Sequence, residues 1–416
     1  MKDKKLNEKY IERDLEKEIQ KYLKDEEVIS IVGARRCGKT TIMRHIFNNL
    51  EKANFISFDD RKALDLFEKD IRGFIEKHVR GFDYLFIDEF QYAKQGGKQL
   101  KYIYDIYGKV KIIISGSSAP ELSIQGLKYL VGRVFIFNLY PLSFEEFLRF
   151  KDERLYNLFK KKKISEPIKK QINEYYDEFL VYGGYPKVVL EETHEKKQKV
   201  LKNIYNTYLL REIKEILNIS EDDKISQIIK AIALQTTGIT NFNELSSFTD
   251  IKFHKLKRYL SILTKTFIIS RCRPHFTNKR KELAKAPKYY FIDNGFRNIG
   301  IDDFREYNQR TDRGKLNETF VASEIIKKDM KLKYWRTHAG AETDFVIYKS
   351  GQLVPIEVKT SLKRATYGKS IKNFMEKYDS PKGFVLSRDF HDEVSINKKK
   401  VFFRPLFKIQ KILESI

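Results

Sequence analysis

VISIVGARRCGKT, residues 28 to 40, decides how this chain begins to fold. The apolar run reads as a buried strand, and the G-x-x-x-x-G-K-T after it leads straight into a helix. Gly33 and Gly38 let successive backbone N–H groups turn inward, and the helix N-terminus that follows favours negative charge. Gly33, Ala34, Arg35, Arg36, Cys37, Gly38, Lys39, Thr40 and Thr41 are therefore expected to hold the phosphates of ATP. In this reading Lys39 reaches the β and γ phosphates, and the Thr40 hydroxyl ligates Mg²⁺. Arg35 and Arg36 read as exposed or phosphate-proximal rather than catalytic.

Working outward, short apolar runs alternate with amphipathic stretches: NFISF (54–58), YLFID (84–88), VKIIIS (110–115) and VFIFNL (134–139). That alternation implies an α/β domain with a parallel sheet covered by helices. YLFIDEF ends its strand in two acids, so Asp88 is expected to hold the Mg²⁺ and Glu89 to polarise the attacking water. KIIISGSS ends in Ser115, Ser117 and Ser118, with Ser115 and Ser117 favoured to orient that water; a plain serine-rich turn is the alternative. Arg133, after Gly132, is a candidate to reach the γ phosphate of a neighbouring subunit in a ring or filament. An ordinary intrachain salt bridge is the other reading for it.

The 416 residues suffice for several cores, with 41% hydrophobic content against 33% charged. A formal charge of +24 points to nucleic acid or an anionic surface, although a lysine- and glutamate-rich thermophile surface looks similar. Cys37 and Cys272, with no secretory leader, argue for a reducing, cytoplasmic setting without disulfides. No apolar run is long enough to span a membrane.

Residues 6–23 have helical spacing and lead into the first strand. After Pro141, Ser143 and Glu146 offer a capping box, and helix-like sequence broken by YGGYP (182–186) continues to about residue 235. KKKIS (161–165) reads as a solvated loop. Residues 240–275 give a short helix (NFNELSSF), a turn, a basic helix (FHKLKRYLSILTK) and a strand pair in FIISRCRP, the order of a winged helix. Between 251 and 290 twelve Lys or Arg stand against Glu282 alone, and Lys255, Lys257 and Arg258 on the second helix are the expected DNA contacts. The alternative is an intramolecular clamp. YFIDNG (290–295) reads as a buried strand ending in an Asn-Gly turn, and Trp335 as core.

The set GARRCGKT, YLFIDEF, IISGSS, GR, PLSFEEFL and YGGYP resembles archaeal and bacterial AAA+ ATPases of the STAND-like branch that carry a nuclease-like C-terminal domain. The resemblance implies a core of the ASCE type, with Asp88 and Glu89 as the acidic pair, then a helical lid and a winged helix. Further on, Glu318 on a helix, Asp344 opening a strand, and Glu357 with Lys359 on the next strand resemble a PD-(D/E)xK nuclease site. Glu357 and Lys359 share a strand face. Glu318, Asp344 and Glu357 would then bind metal, with Lys359 assisting the attacking water and Glu342 as a substitute for Glu318.

The expected fold is therefore α/β: an AAA+ P-loop parallel sheet (1–140), a helical lid (141–220), a winged helix (221–290) and a restriction-endonuclease-like domain (291–416). The expected role is an ATP-hydrolysing motor or switch on DNA. A nucleotide-controlled assembly switch with an inert C-terminal module is the alternative.

Overall fold

In a computed structural model of the chain, residues 10–117, 128–161, 163–207, 213, 222–396 and 398–416 are described. They form two units, one reaching Leu142 and including Lys265–Phe267, the other containing Ser143–Thr264 and Ile268–Ile416.

The first unit is built on five strands: β1 (Val28–Gly33), β2 (Ala53–Ser57), β3 (Tyr84–Asp88), β4 (Lys111–Ser117) and β5 (Val134–Leu139). All pair in parallel in the order β2-β3-β4-β1-β5. Their apolar runs are continuous because both faces are covered: Val28, Ile29, Ile31, Leu85, Phe86 and Ile87 are buried. One such core gathers Phe58, Phe67, Phe74 and Phe90 beside Leu85, Ile87, Ile112 and Ile114. The helices α1 (Asp14–Lys21), α2 (Lys39–Asn48), α3 (Arg61–Lys69), α4 (Ile71–His78) and α5 (Gly96–Ile106) complete the unit. Caps mark some of their starts: Asp60 accepts from Lys62 N at 2.9 Å and Asp70 from Gly73 N at 2.9 Å. The expected sheet is present, with strand ends shifted by a residue or two.

The topology puts β4 between β1 and β3. The carboxyl ends of all three strands lie at one sheet edge, where open α/β sheets bind ligands.

The second unit begins with α6 (Phe144–Lys151), whose capping box forms: Glu146 N donates to Ser143 Oγ at 3.2 Å and Ser143 N to Glu146 Oε2 at 2.9 Å. Helices α7 (Glu153–Phe159), α8 (Glu166–Tyr182), α9 (Pro186–Val189), α10 (His194–Ile204), α11 (Asp222–Gln235), α12 (Phe242–Thr249) and α13 (Phe253–Lys265) follow. Then come β6 (Ile269–Pro274), α14 (Lys279–Ala284), β7 (Lys288–Phe291), α15 (Asn294–Gly300), α16 (Arg313–Lys327), β8 (Lys333–Arg336) and β9 (Glu342–Thr343). The chain ends with β10 (Phe345–Lys349), β11 (Gln352–Val358), α17 (Lys369–Lys377), β12 (Lys382–Ser387), β13 (Asp392–Ile396), β14 (Lys399–Pro405) and α18 (Ile409–Ser415). Two sheets result, β10-β11-β12-β14-β13 and β7-β6-β8-β9. Trp335 is buried against Phe374, in the core as expected.

Packing draws different lines from the four expected segments. The helices from Ser143 onward, read in sequence as a lid, belong to the second unit. The reason lies in α8, whose Tyr176 packs on Phe320 of α16 at 4.9 Å and donates to Asn317 Oδ1, while Asp177 takes a bidentate pair from Arg388 at 2.6 and 2.8 Å. Nor does the chain divide at residue 290. FIISRCRP supplies one strand, β6, which pairs antiparallel with β7 and parallel with β8, so one sheet crosses that boundary.

The Asn-Gly of YFIDNG does not make a turn. It opens α15, and the buried Asp293 caps that helix by accepting from Phe296 N at 3.3 Å. The other Asp293 oxygen accepts from Gly184 N at 2.7 Å, which ties YGGYP down. A Cβ on Gly183 would stand 2.0 Å from Asp293, so this clasp requires glycine there.

Candidate functional site

In the first unit the loop from Gly33 to Lys39 joins the end of β1 to the start of α2. Gly38 (φ 101°) and Arg36 (φ 65°) take left-handed conformations that curl the backbone. A Cβ on Gly33 would lie 2.1 Å from Leu139 O, so β5 packs too closely for any other residue. Cys37 is buried and its thiol donates to Leu139 O at 3.2 Å; burial pushes its pKa up, which marks it as packing rather than chemistry. Lys39 Nζ donates to Gly33 O and Ala34 O, both at 3.0 Å, arching over the loop. Arg35, Arg36 and Thr41 are exposed, and Thr40 is half-buried on the first turn of α2.

The register places Asp88 beside Ser115, at the same edge as Gly33. Ser115 Oγ donates to Asp88 Oδ1 and accepts from Glu89 N at 3.3 Å, so one hydroxyl sets both acids. Glu89 has φ 54°, a conformation costly for a non-glycine residue and concentrated at functional sites, and Gln91 Nε2 donates to its carboxylate. Ser115 is thus engaged with the two acids, where the sequence reading had it orienting the attacking water. Ser117 closes β4, but its side chain and all of Ser118 lie outside the described residues. A carboxylate and a hydroxyl at one edge are hard oxygen donors, so Asp88 and Thr40 fit Mg²⁺.

Arg133 lies at the opposite end of the sheet, where Val28 N donates to its carbonyl at 2.9 Å. Its guanidinium pairs with Asp105 and covers Tyr104 at 5.3 Å, the intrachain alternative raised by the sequence.

Two residues without a motif signal support this site. Arg13 donates to Cys37 O at 3.0 Å and to Tyr140 O at 2.6 Å, bracing the loop from behind, and Gln91 holds Glu89. Neither stands out by spacing; only the folded chain brings Arg13 to a loop 24 positions away.

In the second unit Glu318, Glu342, Asp344, Glu357 and Lys359 do converge. Asp344 Oδ2 accepts from Val358 N at 2.7 Å across the β10–β11 hairpin, and Lys359 Nζ pairs with Glu357 Oε1 at 2.6 Å. Tyr290 O–H donates to Glu318 Oε1 at 2.5 Å. Burial, reinforced by Asp344, pushes Glu318 up to about 8. Burial also pushes Asp344 up to about 6, against the lowering influence of a lysine. That lysine is Lys288, one of the twelve basic residues counted between 251 and 290. It is 1% exposed, with Nζ 2.5 Å from Glu342 Oε1 and 3.7 Å from Glu318 Oε1. Burial alone would strip its proton, but Glu318, Glu342 and Asp344 outweigh this and hold the ammonium charged.

Among the described residues, no three of His, Cys, Asp and Glu stand close enough together to hold a metal ion. Of the acids expected to hold metal, Glu318 and its substitute Glu342 are the ones paired with the Lys288 ammonium, while Glu357 pairs with Lys359.

On α13, Leu256, Leu260 and Leu263 are buried while Lys255, Lys257 and Arg258 are exposed, with Lys252 and His254 beside them. Lys257 Nζ covers the exposed Phe253 ring at 4.2 Å. Among the described residues, no helix is long and apolar enough to cross a membrane.

Residues 25–148 match the family model of an AAA domain, and two families described only as domains of unknown function (DUF8612 and DUF4143) match 173–306 and 313–405. The first unit is accordingly a P-loop ATPase domain of the AAA type. An uncharacterized protein of Haemophilus influenzae is 22% identical over 399 residues, covering 91% of this chain and 94% of the relative. Another, from Methanocaldococcus jannaschii, is 26% identical over 361 residues, 82% and 78% of the two chains. Among solved structures, a Walker-type ATPase of Pyrococcus abyssi superposes with TM-score 0.47 at 17% identity, over 70% of this chain and 96% of that one.

Proposed function

We propose that the chain is an ATP-hydrolysing AAA+ motor or switch that acts on DNA. The observation that carries the hydrolytic half is the Asp88–Ser115–Glu89 arrangement at the same sheet edge as the P-loop. Lys39 leaves the loop carbonyls for the β and γ phosphates, and the backbone N–H groups that open α2 cradle the rest. Thr40 and Asp88 would hold Mg²⁺, which supplies positive charge to the phosphates. Glu89, fixed by Gln91 and its own backbone bond to Ser115, accepts a proton from the attacking water.

The DNA half rests on α13, which commits its leucines to the core and presents Lys255, Lys257 and Arg258 outward. The test measures ATP turnover and duplex affinity together across a salt series, for the parent and for Lys255→Glu/Lys257→Glu/Arg258→Glu. DNA should stimulate turnover in the parent, and its log affinity should fall linearly with log salt. Turnover indifferent to DNA, with affinity indifferent to salt, would sink this half.

A specific observation favours the second reading, a nucleotide-controlled assembly switch with an inert C-terminal module. Lys288 lies among the very carboxylates that cleavage would need.

A further inference from the structure

We infer that Lys288 is the resident cation of the C-terminal carboxylate cluster, and that the chain therefore loads no divalent metal there. This goes beyond the ATPase and DNA readings and depends on neither.

The cluster already holds cations of its own. Four carboxyls (Glu318, Glu342, Asp344, Glu357) face three cations: Lys288 and Arg336, at 2.5 and 3.3 Å from Glu342, and Lys359, at 2.6 Å from Glu357. A divalent ion held by Glu318 and Glu342 would have to expel the Lys288 ammonium from between them.

Several of the oxygens are also committed. Asp344 Oδ2 is taken by Val358 N, Glu318 Oε1 by Tyr290, Glu342 by Lys288 and Arg336, and Glu357 Oε1 by Lys359. Glu357 Oε2 is buried without a partner.

Lys288 is held as a built part of this site rather than as a passing side chain. It opens β7 opposite Cys272 in the β6–β7 ladder, and its ammonium lies over the Tyr334 ring at 5.2 Å. Its Nζ is the cation nearest Glu342 and Glu318 among the described pairs. The ammonium neutralises the cluster but can neither polarise a phosphoryl oxygen as a Lewis acid does nor generate a bound hydroxide. A nuclease-like arrangement is thereby kept folded and silent.

The deciding experiment is Mn²⁺ titration of the nucleotide-free full-length chain, followed by the electron paramagnetic resonance of free Mn²⁺, for the parent, Asp344→Asn, Lys288→Arg, Lys288→Met and Lys288→Met/Asp344→Asn. The parent and Asp344→Asn should bind alike, and Lys288→Arg should match them. Lys288→Met should gain one Mn²⁺ site, at least about tenfold tighter than anything in the parent, within the range that neighbouring-group changes reach. That site should vanish in the double variant. A parent that binds one Mn²⁺ more than Asp344→Asn overturns the inference, as does a folded Lys288→Met with no gain. Should Lys288→Met fail to fold, the comparison of parent with Asp344→Asn still decides.

Discussion

The two units each gather acids at the end of a strand, and they treat those acids in opposite ways. Asp88 and Glu89 are held by neutral groups, the Ser115 hydroxyl and the Gln91 amide, which fix their direction without cancelling their charge. Glu318, Glu342 and Asp344 are half-buried around the Lys288 ammonium, which cancels charge as it binds. Neutral partners leave a site that must recruit its cation with the substrate; an internal lysine leaves one that is already complete. Carboxylates alone therefore do not identify a metal site, because their partners decide what they can still bind.

The largest effects should come from the first unit. Lys39→Ala should abolish the rise in melting temperature that ATP produces, and Glu89→Gln should keep that rise while cutting turnover by about 10²- to 10⁴-fold, the usual reach of a general base. A Glu89→Gln chain that turns over normally would break the assignment and with it the contrast. Ser115→Ala comes next: loss of a hydroxyl shared by both acids should lower turnover about tenfold, with ATP binding kept, corresponding to about 1–3 kcal/mol for a disrupted buried hydrogen bond.

In the second unit the readout is stability against pH. Glu318 is raised from 4.5 to about 8, so between those values the folded chain keeps a proton that the unfolded chain has lost. Stability should therefore fall as pH rises through this window, and Glu318→Gln should flatten that slope in urea unfolding followed by the Trp335 fluorescence. An unchanged slope would mean that Glu318 ionises as an exposed carboxyl does, and the cluster would then resemble the first.

Neutralising Lys255, Lys257 or Arg258 singly should reduce the salt slope of DNA binding by about one unit each where it meets a phosphate. The smallest effect is expected at Arg133. Its pair with Asp105 is about two-fifths exposed on both sides, so Arg133→Ala should cost under about 1 kcal/mol. Turnover that falls in this variant only at high protein concentration would instead place Arg133 at a neighbour's site.

Legibility followed the range of the interactions. The five strands of the first sheet and the capping box at Ser143 were readable because apolar runs and caps are local signals. The packing of the helices after Ser143 was not readable because helical spacing shows that α8 has an apolar face, not that Phe320 of α16 receives it. Asn294-Gly295 carried a turn signature, yet Asp293 one position earlier captured Gly184 and started a helix. Lys288 entered only as one of twelve basic residues because a lysine before YYF looks the same whether its strand ends in water or among acids.

By itself the sequence determined the P-loop, the acidic pair at the end of β3 and the alternation that builds a parallel sheet. Each of these depends on residues within one strand and the turn beside it. Only the tertiary structure decided that Ser115 binds Asp88 and Glu89, that the helices after Ser143 join the second unit, and that Lys288 stands among Glu318, Glu342 and Asp344. The physical reason is that a charge takes its meaning from what lies within a few ångströms once water is excluded, and the chain supplies those neighbours from positions tens of residues away.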